Sequence, residues 1–196
     1  MQATSVPSPR PWTRASLQRE EWLRPFPRRC LDELEKTAQI LERNPLHTYL
    51  LDPGDYPLEQ TRRFMAEAKA VLDRGCGFVV LDRLPVRELG RERSKDLYWL
   101  LSSLIARPVA QAFKGTMLYD VRDLGLAQSA EVRGDLTREE FNWHTDFELE
   151  PGQIQYLANY HVAHRRSTYE DFDDDEEKRH LVRIFLRDFG QRSFDG

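Results

Sequence analysis

Between Cys30 and Arg43, Leu31, Leu34, Ala38 and Leu41 recur at intervals of three and four. That spacing lines apolar side chains along one face of a helix and predicts a packing element here. A second helix is predicted after Asp55, a candidate cap, with Pro57 near the first turn. It carries Leu58, Met65, Ala68 and Leu72 and stops at Gly75. A third, roughly Arg91 to Ile105, presents Leu97, Leu101 and Leu104 on one face before Pro108 breaks the pattern.

Short β-branched runs between polar turns read instead as strands. Gly77 to Leu81 is apolar throughout and suits a buried strand, and Gly115 to Val121 suits another. Glu140 to Asp146 reads as extended. Beyond the Pro151-Gly152 turn, Gln153 to Leu157 and Val162 to Arg166 predict a hairpin around Asn159-Tyr160. His180 to Leu186 predicts a last strand. Helices early and strands late indicate an α+β fold with an antiparallel sheet or barrel.

Residues 1–29 hold Pro7, Pro9, Pro11, Pro25 and Pro27, which argue against regular backbone pairing and predict a flexible arm ahead of one domain spanning residues 30–196. At 196 residues and 40% hydrophobic content the chain can bury a real core. No apolar run is long enough to cross a bilayer, and the first 29 residues lack the apolar stretch of a secretory signal. Two cysteines, Cys30 and Cys76, are too few for a disulfide framework. A cytoplasmic protein without membrane association is therefore expected. The net charge of −4 lacks the basic footprint of a nucleic-acid binder, so no nucleic-acid partner is expected.

The chemistry concentrates in the last third. In an extended segment, residues two apart project to the same face, so His144 and Asp146 can present an imidazole and a carboxylate to one ion. With a third ligand, two histidines and a carboxylate suit Fe(II) oxygen chemistry, because open positions remain for a co-substrate and O2. Zinc can occupy the same donors. An isolated His-x-Asp is a common surface pair, and the downstream residues raise its significance. His164 lies on a predicted strand, and Arg179 and Arg183 are four apart around the start of the next. Two arginines on one face repel unless an anion lies between them, although pairing with the acidic run Asp171 to Glu177 would relieve the same cost. That acidic run reads as a solvated loop.

The stretches GFVVLDRLPV, RPVAQAFKGTMLYDVRDLG, FNWHTD, PGQIQYLANYHVAHRRSTYEDF and RHLVRIFLRDFG together resemble the superfamily of taurine dioxygenase, clavaminate synthase and γ-butyrobetaine hydroxylase, which are Fe(II)/2-oxoglutarate oxygenases. The resemblance implies a double-stranded β-helix, or jelly roll, packed against the N-terminal helices. It implies metal ligation by His144, Asp146 and His164, the last in an H-x-R-x-x-Y pattern that His161 does not match. Arg179 matches the arginine that holds the distal carboxylate of 2-oxoglutarate. Arg183 matches a position that binds an anionic group of the primary substrate in several members. The implied reaction couples decarboxylation of 2-oxoglutarate to hydroxylation or desaturation of a small, carboxylate- or sulfonate-bearing molecule. Residues 30–75 carry no matching motif.

The chain departs from that family in one respect. Only 17 residues separate Asp146 from His164, where the family places about half of the barrel. At about 5 to 6 residues per strand, that length holds two strands and a turn but not the further strands of a closed barrel. An incomplete jelly roll is therefore expected. Three readings follow: an oxygenase with a reduced barrel or one completed by an oligomer or partner chain, an inactive shortened member that associates with another chain, and a zinc-binding module.

Overall fold

The structure is a computed structural model that describes residues 11–13, 15–111, 114–122, 149–159, 162 and 180–188. Helix α1 (Arg19–Trp22) leads directly into strand β1 (Leu23–Pro25), and α2 (Arg28–Arg43) follows. Two 3-10 turns, Thr48–Leu50 and Pro53–Asp55, precede α3 (Glu59–Arg74) and β2 (Phe78–Asp82). Next come α4 (Val86–Leu89), α5 (Arg91–Ile105), β3 (Arg107–Val109), β4 (Leu118–Arg122), β5 (Ile154–Leu157) and β6 (His180–Arg187). The chain divides into two compact units: Met1–Arg107 with Leu149–Val162 and Leu186–Gly196, and Pro108–Glu148 with Ala163–Phe185.

The first unit is built on the predicted helices. Helix α3 packs on α2, α5 and β2. Its apolar face buries Phe64, Met65, Ala68, Val71 and Leu72, while α2 contributes Leu34, Ala38 and Leu41. Helix α5 runs over the expected span and buries Leu97, Trp99, Leu100, Leu101 and Ile105, with Leu104 only half-buried. Removing one such leucine or isoleucine side chain from water is worth about 1.5–3 kcal/mol, so this interface contributes substantially to the unit's stability.

Strand β2 is buried along Phe78–Leu81 because it is the middle strand of a three-stranded sheet. Strand β1 flanks it in parallel (Leu23↔Val80), and β5 flanks it antiparallel (Phe78↔Leu157, Leu81↔Ile154). A strand covered on both faces and both edges needs no polar alternation, which accounts for its uniformly apolar sequence.

The proline-rich opening differs from the arm expected of residues 1–29. Its described part contains α1 and β1, and β1 is a paired strand. The prolines are tolerated because Pro25 ends the strand and Phe26 takes over the ladder, its N–H donating to the Asp82 carbonyl at 3.0 Å. Apolar side chains between the prolines supply the driving force. Trp12 and Trp22 lie 5.3 and 5.8 Å from the Phe78 ring, and Phe26 lies 5.2 Å from Phe64. The Trp12 indole also donates to the Cys76 carbonyl at 2.7 Å.

Asp55 does not cap α3. It lies in the preceding 3-10 turn, and the position before the helix is Leu58, whose side chain is buried instead. Glu33 of α2 supplies the missing acceptors: its carboxylate receives the Gln60 N–H (2.9 Å), the Thr61 N–H (2.8 Å) and the Thr61 hydroxyl (2.8 Å). Burial would raise the Glu33 pKa, but these hydrogen bonds and the nearby Lys36 charge outweigh it and hold the carboxyl below its usual range.

The second sheet has the order β3-β6-β4, with β4 and β6 antiparallel. Strand β4 begins at Leu118 rather than Gly115, since Gly115 adopts φ +80° and belongs to the preceding turn. The overall class is α+β, as expected. Among the described residues both sheets are small and open, and the jelly-roll core does not follow from them. No helix among them is long and apolar enough to cross a membrane.

Candidate functional site

Strand β6 carries the one candidate site residue that falls within the described structure, Arg183. In the β4–β6 ladder Tyr119 stands opposite Arg183, and Leu118 opposite Ile184. Alternation puts Leu181, Arg183 and Phe185 on one face with Tyr119 and Val121, and His180, Val182 and Ile184 on the other with Asp120 and Leu118. Side-chain identity therefore separates two chemistries on a single strand pair.

On the first face the Arg183 guanidinium carbon lies 5.1 Å from the Tyr119 ring centroid and 5.2 Å from that of Phe185. Both distances are within the range where a ring face attracts a cation. The cross-strand and same-strand neighbours thus form an aromatic bed under the guanidinium. Its in-plane orientation comes from a residue outside the strand pair. Arg183 Nε donates to Gln111 Oε1 at 2.9 Å, and Gln111 Nε2 donates to the Arg183 carbonyl at 2.9 Å and to the Met117 carbonyl at 2.7 Å. The Gln111 backbone N–H closes its own loop by donating to the Thr116 carbonyl at 2.8 Å.

On the opposite face His180 Nε2 lies 2.6 Å from Asp120 Oδ1. Asp120 is opposite Val182, two positions along from Arg122, which faces His180, so the contact is diagonal across the ladder. It fixes one end of β6 against β4.

Of the other sequence candidates, His144, Asp146, His164 and Arg179 all lie outside the described residues, as does the acidic run Asp171 to Glu177. The expected hairpin is described only on one side: β5 is present, while of Val162 to Arg166 only Val162 is described. Strand β5 pairs with β2. The Pro151-Gly152 turn forms as expected, with the Gln153 N–H donating to the Glu150 carbonyl at 3.0 Å and Gly152 at φ +87°. No group of three or more histidine, cysteine, aspartate or glutamate side chains suited to a metal ion occurs among the described residues.

Three neighbours of Arg183 and β6 escaped sequence reasoning. Tyr119 was legible in principle, since it falls in a predicted strand, but its partner strand and register were not. His180 was read only as the start of a strand. Gln111 lies in a loop after Pro108, with no periodicity to mark it.

This arrangement defines an α+β protein that holds an oriented guanidinium on a small antiparallel sheet. No family model matches the chain. A distant likeness to an enzyme is present: FR-33289 synthase of Streptomyces rubellomurinus is 25% identical over 166 residues, covering 81% of this chain and 49% of that protein. The chain thus spans about half the length of the curated relative it matches.

Proposed function

We propose that the chain is a non-haem Fe(II)/2-oxoglutarate-dependent dioxygenase that hydroxylates or desaturates a small, carboxylate- or sulfonate-bearing molecule. His144, Asp146 and His164 would hold the iron, Arg179 the distal carboxylate of 2-oxoglutarate, and Arg183 the substrate anion. Two neutral imidazoles and one carboxylate fit Fe(II), leaving positions for a co-substrate and O2. The bound metal would supply oxidative chemistry that the protein's own side chains lack.

The observation that supports this reading is the setting of Arg183. A guanidinium on the rings of Tyr119 and Phe185, with Nε turned toward Gln111, is oriented before any ligand arrives. Preorganisation of this kind lowers the cost of fixing an anionic substrate. Arginine is suited to the task because its charge persists at all working pH values and its donors match planar oxyanions. The distant likeness to a synthase adds support for an enzymatic role.

The test is an anaerobic titration of the purified chain with Fe(II) and 2-oxoglutarate, following the weak visible charge-transfer band of the chelated complex. The expected result is a band that saturates at one iron per chain. A folded sample that takes up zinc tightly and shows no band with iron and 2-oxoglutarate would replace the oxygenase with a zinc-binding module.

A further inference from the structure

We infer that the outer edge of β5 is a self-association surface, on which a second copy of the chain lays its own β5 antiparallel. The inference is independent of the metal and co-substrate assignments. In the order β1-β2-β5, β5 is an edge strand, and among the described residues no strand lies beyond it. The Ala158 N–H donates to the Gly77 carbonyl at 2.8 Å, which makes these two a hydrogen-bonded pair of the antiparallel ladder. Alternation then turns the backbone groups of Ile154 and Tyr156 toward β2 and those of Gln155 and Leu157 outward.

A strand edge is a template for another strand unless charge, proline or a bulge guards it. The opposite edge of this sheet, β1, is short and ends in Pro25. Strand β5 reads Ile-Gln-Tyr-Leu, with neither charge nor proline, and its register against β2 runs without a bulge. An uncharged edge meets its own copy without repulsion. A two-fold axis at Tyr156 places Gln155 opposite Leu157 of the second copy, and the reverse, so both outward residues exchange N–H and C=O bonds. The alternative register, with Gln155 opposite its own copy, would set Leu157 against Gln153, whose N–H is already given to the Glu150 carbonyl. The side chains agree with the first register. Tyr156 bonds Ser102 of α5, so Ile154 and Tyr156 face the helices and are buried, while Gln155 and Leu157 lie on the other face and are only half-buried. Pairing sets each beside the other across the new ladder. The contact is isologous and uses the β5 edge of both copies, so assembly stops at two chains.

The experiment is sedimentation equilibrium of the full chain over a wide concentration range. One short strand pair makes a small interface, so association should depend on concentration, with the average mass rising from one chain toward two and levelling there. Leu157→Pro removes an outward N–H and leaves the bonds to β2 in place. Losing that donor in each copy should raise the dissociation constant by about tenfold or more. Gln155→Cys combined with Leu157→Cys sets thiols opposite each other across the axis, at a Cα separation of about 5.5 Å that a disulfide can span. Oxidation should then give disulfide-linked dimers on a non-reducing gel, which the unaltered chain should not give because Cys30 and Cys76 are buried. An unaltered chain that stays monomeric throughout, one that grows past two chains, or a folded Leu157→Pro that dimerises unchanged would each overturn the inference. Should Leu157→Pro not fold, the cysteine pair decides: a dimer that forms no cross-link places the contact elsewhere and overturns the role of β5.

Discussion

The carboxylate of Glu33 in α2 accepts both the backbone N–H and the hydroxyl of Thr61 in the first turn of α3. One helix thereby caps another, and the cap persists only while the two are packed. Glu33→Ala leaves the Gln60 and Thr61 donors without this acceptor and should cost about 1–2 kcal/mol, the usual value of a lost N-cap. Chemical denaturation of the two chains at neutral pH measures it.

The same contact carries a pH signature. The Glu33 carboxyl is held below its ordinary value by its hydrogen-bond donors and by Lys36, against the opposing effect of burial. A depressed acid pKa contributes stability that is fully present above the unfolded value, about 4.3 for glutamate, and is lost as pH falls through the folded value. The stability gap between the unaltered chain and Glu33→Ala should therefore be constant from neutrality to about pH 5 and narrow in more acidic solution. A gap that widens on acidification would refute the depressed pKa.

Much of the first unit was legible in the sequence, and the reason is physical. Periodicity reports which residues face a core, so α2, α5 and β2 fall close to their expected spans. The cap of α3 was not legible because Glu33 precedes Thr61 by 28 positions, and local patterns cannot register a long-range acceptor. The pairing of β1 was hidden by its prolines, whose effect depends on where the strand ends. Around the candidate site, the predicted strand from His180 to Leu186 placed Arg183 on what is β6. It carried no information about Gln111, 72 positions away, since side-chain clamps leave no periodic trace.

Ser102 and Tyr156 form a hydroxyl pair at 3.0 Å within the core, Ser102 on α5 and Tyr156 on β5. Burial pushes the Tyr156 phenol well above its ordinary pKa, Tyr98 adds to the shift, and the Ser102 hydrogen bond partly offsets it. The phenol is therefore neutral at any working pH and the contact is a neutral hydrogen bond. Tyr156→Phe and Ser102→Ala should each cost about 1–2 kcal/mol by stranding the remaining hydroxyl, and the double variant should cost less than the sum. A double-mutant cycle by urea denaturation gives the coupling, and strict additivity would show that the two hydroxyls do not depend on each other.

Gly152 should resist any substitution. It adopts φ +87° at the third position of the Glu150–Gln153 turn, where a preceding proline and a following positive φ define a type II geometry. Its carbonyl receives the Leu84 N–H at 2.8 Å, and an added Cβ would collide with the Leu84 carbonyl oxygen. Gly152→Ala combines a strained backbone with that collision and should cost about 2 kcal/mol or more. Gly90 offers the control: φ is +73° there, but an added Cβ meets nothing within 4 Å. Gly90→Ala should carry the strain alone and lose less stability, and equal losses at both positions would remove steric exclusion by Leu84 from the account.

The proposed metal site separates into two measurable parts. His164→Ala should abolish stoichiometric Fe(II) binding, because removal of one ligand from a three-ligand set leaves two donors that cannot compete with water at low metal concentration. Arg179→Ala should leave Fe(II) binding in place and weaken 2-oxoglutarate by about ten- to a hundredfold, since it would remove the proposed charge-assisted contact to its distal carboxylate. Equilibrium dialysis for iron and the charge-transfer titration for 2-oxoglutarate report the two effects independently. Unchanged iron affinity in His164→Ala removes that residue from the ligand set. Unchanged 2-oxoglutarate affinity in Arg179→Ala removes the co-substrate assignment and would make Arg183 on β6 the next candidate to test for the same carboxylate.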